Sequence, residues 1–278
     1  MLRRSMLGVA LCGLLVVPAA AATVSPLDAA IGASTRAAEH VKRDPARHPA
    51  ETLKVWGIKP GQTVIEISPG TGYWTEILAP YAKATGGRYL AGVADLANPK
   101  ISDGARKGRA DFEAKFADTK IYGDVGYLNF GPVSGPLGAA GSADVVITAR
   151  NIHNWLWAPG MLDKALSDFH AVLKPGGTLA VEEHRSDPRP QIGDARDGYV
   201  AEATVIAAAQ KAGFTLVARS EVNANPKDTK DHPFGVWTLP PVRRSANPGT
   251  PADPAFDRAR YDAIGESDRM TLTFRRNP

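Results

Sequence analysis

Two short stretches of this 278-residue chain gather residue types that can do chemistry. The first is Glu66-Ile67-Ser68-Pro69-Gly70-Thr71-Gly72, which follows the β-branched apolar run Thr63 to Ile67. Glycine has no Cβ, so backbone at Gly70 and Gly72 can come close to a ligand. In an open α/β sheet, ligands bind beyond the carboxyl ends of the strands, and this turn is the first such end. The second stretch is Arg150-Asn151-Ile152-His153-Asn154-Trp155-Leu156-Trp157, one residue beyond the apolar run ADVVIT. Histidine ordinarily ionises in the range that suits proton removal near neutrality. A further apolar run ends in Glu182-Glu183-His184-Arg185. Side chains alternate along a strand, so only one of the two glutamates is expected to face the site.

Two acids stand at other expected strand ends. Asp95 can accept hydrogen bonds from ribose hydroxyls, and Asp124, after Gly123, can meet an adenine edge. Each also reads as an ordinary loop or turn residue. A dinucleotide fingerprint would need a third glycine where Thr75 stands, and the turn has no phosphate-binding lysine of the P-loop kind. No His/Cys/Asp/Glu set has metal-ligand spacing such as H-x-x-x-H, so no metal is expected.

These residues need a scaffold, and the pattern supplies one. Residues 24–54 read as helical, interrupted at Asp44-Pro45 and His48-Pro49. Strands are expected at 63–67, 87–93, 120–122, 143–148, 178–183, 214–220 and 270–275. Helices are expected at 73–83 (with Pro80 a kink or early stop), 105–116, 161–173 and 198–212. Strands alternating with helices mean a mostly parallel sheet with helices on both faces, an α/β fold. Residues 221–269 are rich in Pro, Asn, Asp and Arg and read as a long loop or lid, with Trp237 either over the site or packed as an anchor.

Taken in order, VIEISPGTGYWTEIL, a strand ending at Asp95, Gly123-Asp124, ADVVITARN and LKPGGTLAVEE resemble the class I S-adenosylmethionine-dependent methyltransferases over residues 50–220, with 270–275 as the last strand. The resemblance implies a Rossmann-like seven-stranded sheet, its last strand antiparallel, and S-adenosylmethionine as cofactor. It implies cofactor contacts from Glu66, Ser68, Gly70, Gly72, Asp95, Asp124 and Asn151. Ser68 departs from the family's motif, which has glycine there. The 150–157 stretch looks like the His-Asp-Trp segment of plant-type O-methyltransferases. That likeness implies His153 as the base for an acceptor hydroxyl and Glu183 as the acid that orients it, with Asn154 where that family has Asp. The expected function is methyl transfer to a small-molecule hydroxyl. The alternative is a non-catalytic periplasmic module that binds a small ligand on the same scaffold.

The N-terminus reads as a signal peptide over residues 1–22: Arg3 and Arg4, an apolar run, then small residues at Ala19 to Ala22. That predicts a periplasmic or secreted protein whose folded body spans 23–278. No stable membrane span is expected once the signal is cleaved. The only cysteine, Cys12, falls inside the signal, so the mature chain has no thiol for a disulfide. The formal charge of +4 includes Arg3 and Arg4. What remains is too mild for a nucleic-acid partner. Oligomeric state is not legible in the sequence.

Overall fold

In the computed structural model, which describes residues 24–188, 191, 195–247 and 249–278, the molecule is organised by one seven-stranded sheet. Its strands are β1 (Thr63–Ile67), β2 (Arg88–Ala94), β3 (Gly126–Phe130), β4 (Ala143–Ala149), β5 (Leu173–His184), β6 (Phe214–Ser220) and β7 (Arg269–Arg276). Their order across the sheet is β3-β2-β1-β4-β5-β7-β6. β7 is antiparallel to both of its neighbours, and the remaining pairs are parallel. The expected Rossmann-like α/β architecture is therefore the one found. The proposed signal at 1–22 lies outside the described residues.

The central strands are buried on both faces, which is why they read as unbroken apolar runs. Alternate residues feed two separate cores. Ile65, Ile67 and Val146 join Trp155 and Phe169 on one face. Val64, Val145 and Ile147 join Trp56, Trp74 and Phe112 on the other. The short N-terminal helices α1 (Pro26–Ile31), α2 (Ala38–Val41), α3 (Asp44–Arg47) and α4 (Pro49–Val55) follow the proline breaks. They lead into α5 (Thr75–Thr85) after β1 and α6 (Asp103–Lys115) after β2, whose first turn Ser102 caps. Pro80 sits inside α5 without ending it, so of the two expected outcomes, a kink or an early stop, the early stop does not occur.

The third strand differs from the sequence expectation. Residues 119–122 form a short helix, α7 (Thr119–Tyr122), because Asp118 caps it, accepting from Lys120 N at 2.9 Å. The strand comes later, and its register pairs Leu90 with Gly126 and Ala94 with Phe130. Asp124 thus precedes β3 and is exposed at the edge of the sheet opposite the carboxyl ends. The expected adenine contact from Asp124 is overturned, because β3 reaches the binding edge only at Phe130-Gly131.

β4 runs into α8 (Ile152–Leu156) and then α9 (Met161–Val172); α10 (Glu202–Lys211) joins β5 to β6. The 221–269 connection holds a 3-10 turn (Gly235–Thr238) and α11 (Arg258–Ile264) and folds back over the carboxyl ends of β4 and β5. No described helix is long and apolar enough to cross a membrane.

Candidate active site

Two cavities meet at the carboxyl edge of the sheet. One, of about 610 Å³, lies beyond β1, β2 and β3, with Val93, Ala94, Phe112, Phe130 and Met161 among its walls. The other, of about 290 Å³, lies beyond β1, β4 and β5 and is walled by His153, His184, Arg43, Arg150 and Trp237. Ser68, Pro69, Gly70, Asn151 and Asn154 line both.

The glycine turn divides its work. Gly70 has φ +60, and no atom lies within 4 Å of where a side chain would begin, so the turn is open toward the cavities there. Gly72 has φ +90, and a Cβ on it would overlap the Phe116 ring. It lets the turn pack on the residue after α6 and lines neither cavity. Ser68, which replaces the family's glycine, holds φ +49, a left-handed conformation that is uncommon for a residue with a side chain. Glu66 is buried. Its Oε2 accepts from Tyr89 at 2.6 Å and from Thr75 at 3.0 Å. Burial pushes its carboxyl up to about 7 against the pull of those two donors. Asp95 is buried beside Gly131, and its Oδ1 accepts from Ala97 N at 2.9 Å. Asn151 ties two strand ends together, donating from Nδ2 to Ile67 O at 2.9 Å and to Thr148 Oγ1 at 3.3 Å.

His153 and Glu183 lie together. The imidazole Nδ1 is 2.9 Å from Glu183 Oε1, and both side chains are buried. Glu183 also receives backbone N–H groups from Ile152 at 2.6 Å, His153 at 3.3 Å and His184 at 2.8 Å. It therefore caps α8, whose N-cap residue Asn151 provides no side-chain cap, and holds the ring of a residue in that same first turn. Against an acceptor-only carboxylate, Nδ1 carries the proton, which leaves Nε2 free to accept one. Glu182, the adjacent glutamate, points elsewhere: its Oε1 accepts from Arg269 Nη1 at 2.9 Å.

His184, Arg43, Glu266 and Ser267 carried no role in the sequence reading, whereas Trp237 was expected either over the site or packed as an anchor. His184 is 5.3 Å from His153 between ring centroids, and its Nδ1 is 2.6 Å from Ser267 Oγ. Burial holds it well below the usual histidine range, and the positive charge of Arg150 pushes the same way. Trp237 sits 5.9 Å from His153 and 5.8 Å from Trp157. Arg43 and Glu266 come from opposite ends of the chain and meet at 2.6 Å. Arg150 was visible as the first residue after β4; nothing local marked Arg43, Glu266 or Ser267.

His153, Glu183 and His184 offer ligand-type atoms within 4.8 Å of one another. The imidazole and three backbone N–H groups already occupy the two Glu183 oxygens, and Arg150 lies close by, so this group is built to orient an imidazole rather than to attract a cation.

The sheet order, the antiparallel β7 and the ligand cavities at the carboxyl edge define the class I S-adenosylmethionine-dependent methyltransferase fold. No protein-family model matches the chain. Over 155 residues it is 29% identical to the ubiquinone/menaquinone biosynthesis C-methyltransferase UbiE of Hydrogenovibrio crunogenus, a match that covers 53% of this chain and 52% of that one. The chain thus spans about half the length of that curated relative. Among solved structures it resembles the (4+2)-cyclase SpnF, with a TM-score of 0.55, 17% identity and coverage of 88% of this chain and 86% of that one. It resembles an S-adenosylmethionine-dependent methyltransferase from Mesorhizobium loti with a TM-score of 0.50, 15% identity and coverage of 83% and 98%.

The Mesorhizobium loti protein is described as S-adenosylmethionine-dependent, and the residues at the carboxyl edge of this sheet fit that molecule. The larger cavity offers apolar walls of a size suited to a nucleoside. The turn between the cavities is open at Gly70, where a side chain would protrude.

Proposed function

We propose that this protein transfers a methyl group from S-adenosylmethionine to a hydroxyl of a small molecule, with His153 as general base. The observation that carries the reading is the His153–Glu183 pair at 2.9 Å, facing a cavity that shares Ser68 and Gly70 with the apolar one. A protein that only binds its ligand has no need of a base held by a buried acid. Bound S-adenosylmethionine supplies an electrophilic methyl group. Ser68, Gly70 and Asn151 would hold it where the cavities meet, with Asp95 and Glu66 on the flanking strand ends. Glu183 fixes the Nδ1 proton of His153, so Nε2 is the atom that takes the hydroxyl proton. The imidazolium then formed keeps its ion pair with Glu183. Trp237 and Trp157 pack around the ring and exclude water from it.

Fold alone does not decide this, since SpnF, with the same fold, is a cyclase. The relative's name also raises a carbon acceptor, for which His153 would remove a proton from carbon instead. The deciding experiment incubates the chain with S-adenosylmethionine and a panel of phenols, alcohols and carbon acids. It follows release of S-adenosylhomocysteine and assigns the new methyl signal by NMR. An O-methyl product supports the reading, and a C-methyl product replaces it with the second one. Saturable binding of S-adenosylhomocysteine with no transfer to any acceptor favours the binding module. The exported location belongs to the same proposal and rests on residues 1–22. N-terminal sequencing of the mature protein after cell fractionation tests it, and an intact Met1 in the cytoplasmic fraction overturns it.

A further inference from the structure

The cavity that His153 faces is cationic for reasons that proton removal does not require. Arg43 and Arg150 line it. Arg47 and Arg269 stand behind them, 0% and 1% exposed. Four carboxylates belong to the same neighbourhood. Glu183 is taken up by His153 and three backbone N–H groups, and Glu66 by Tyr89 and Thr75. Glu266 accepts Arg43 Nε at 2.6 Å, Arg47 Nε at 3.2 Å and Arg269 Nη1 at 3.0 Å. Glu182 accepts Arg269 and lies 3.9 Å from Arg150 Nε, too far for a hydrogen bond.

The donors outnumber what these acceptors can take. Among the described residues, the Nη atoms of Arg43 and Arg47 have no acceptor, and the Arg150 guanidinium makes no hydrogen bond at all. Arg43 Nη2, both Nη atoms of Arg47 and Arg150 Nε are closed to solvent as well. One acceptor, Glu182 Oε2, is also unpartnered. A single carboxylate oxygen accepts about two hydrogen bonds, so it still leaves most of these donors unserved. Unpaired buried donors are costly, and several in one place call for an explanation. Arg150 adds backbone strain, with φ +61 in a residue that is not glycine. Strain of this kind persists where the surroundings enforce it, and it clusters at ligand clamps.

We propose that Arg43 and Arg150 form an anion subsite for a carboxylate or phosphate on the acceptor, with Arg47 as a fixed charge behind them. The acceptor is then a small anionic hydroxy compound whose hydroxyl faces His153 and whose body lies against Trp237. This rests on the methyltransferase reading. S-adenosylmethionine carries one carboxylate against an ammonium and a sulfonium, so it brings net positive charge and does not neutralise the cluster. The planar, forked guanidinium suits carboxylate and phosphate oxygens.

The test is calorimetric titration of the full chain with 4-hydroxybenzoate, 4-hydroxybenzamide, inorganic phosphate and S-adenosylhomocysteine, repeated on Arg43→Gln and Arg150→Gln after circular dichroism has shown them folded. We expect the acid to bind at least about tenfold more tightly than the amide, a typical gain from one charge-assisted pair, and phosphate to compete with it. In each variant the preference should fall below about threefold while S-adenosylhomocysteine affinity changes by less than that. Equal binding of acid and amide by the wild type, or no binding of either anion, overturns the subsite even if both variants fail to fold. Loss of S-adenosylhomocysteine affinity in step with the acid also overturns it, by assigning the arginines to the cofactor's own carboxylate. Tight acid binding with no S-adenosylhomocysteine binding would keep the subsite and sink the methyltransferase reading instead.

Discussion

The two halves of the cleft are built by different means. On the β1–β2–β3 side, short segments do the work: a turn with backbone open at Gly70, one buried acid at Asp95, and apolar walls from Val93, Ala94 and Phe130. On the β4–β5 side, side chains do it, drawn from across the chain. Arg43 comes from before α3, His153 from α8, Glu183 from β5, Trp237 from the 3-10 turn and Glu266 from just before β7. In the proposed reaction the first half recognises shape through backbone that comes close to the cofactor, and the second recognises charge and moves a proton through its buried hydrogen-bond network. A substitution in one half should therefore move a different observable from a substitution in the other.

The largest separation is expected for His153→Ala. Turnover on a hydroxyl acceptor should fall by about 100- to 10,000-fold, the range a positioned general base contributes. S-adenosylhomocysteine affinity, read by calorimetry, should stay within about twofold of wild type, because the ring belongs to the charged half. Unchanged turnover would remove the base from the mechanism. Gly70→Val should do the reverse. Cofactor affinity should drop by about 100-fold or more, while the left-handed φ of +60 costs about 1–2 kcal/mol of stability, seen as a lower Tm in an otherwise cooperative melt. Undiminished affinity would show that the turn is scaffold only.

Glu183→Gln should show how far the charged half relies on its network. An amide puts N–H donors where four donors now converge, so a loss of about 1–3 kcal/mol is expected, along with reduced turnover. A variant as stable as wild type would mean that the cap and the ring anchor are dispensable. Two glutamates should give opposite pH signatures. Glu66, raised to about 7, keeps a proton when folded that the unfolded chain loses near the ordinary 4.5. Its contribution to stability is thus complete below pH 4.5 and lost as pH rises toward 7. Glu266, held near 2 by Arg47, Arg269 and Arg43 against the upward push of burial, contributes above pH 4.5 and loses that contribution as pH falls toward 2. Denaturant melts across pH should show Glu66→Gln flattening the neutral limb and Glu266→Gln the acid limb. Exchanged limbs would refute both assignments. The smallest effects separate the two acids of the cofactor half. Asp95→Asn should weaken S-adenosylhomocysteine by about tenfold, and Asp124→Asn should leave it unchanged within error. Equal losses would restore the cofactor contact that the position of β3 removes from Asp124.

The cofactor half was largely legible because its parts are contiguous. Thr63–Ile67 is a strand by composition, and the glycines follow it directly. The reading failed at 120–122, where a short apolar segment resembles a strand and Asp118 decides for helix. The charged half was legible only where it stays local. His153 follows β4 and Glu183 lies next to the last residue of β5, each visible as a polar residue after an apolar run, though their contact spans 30 positions. The 221–269 segment looked like a loop because its anchors are scattered. Trp237, Glu266 and Ser267 acquire a place only when the chain folds back.

The sequence by itself determined the period of alternation, the two buried faces of the central strands and the turn that breaks them. These are short-range consequences of side-chain shape and of residues that lack a Cβ. Only the tertiary structure decided which charges meet. Arg43 and Glu266 are 223 positions apart and 2.6 Å distant, and among the described residues the Arg150 guanidinium is left without a hydrogen bond beside a cavity. Hydrogen bonding and burial act over a few ångströms of space and are indifferent to separation along the chain, so the chemistry of the acceptor half exists only once the sheet has brought its strand ends together.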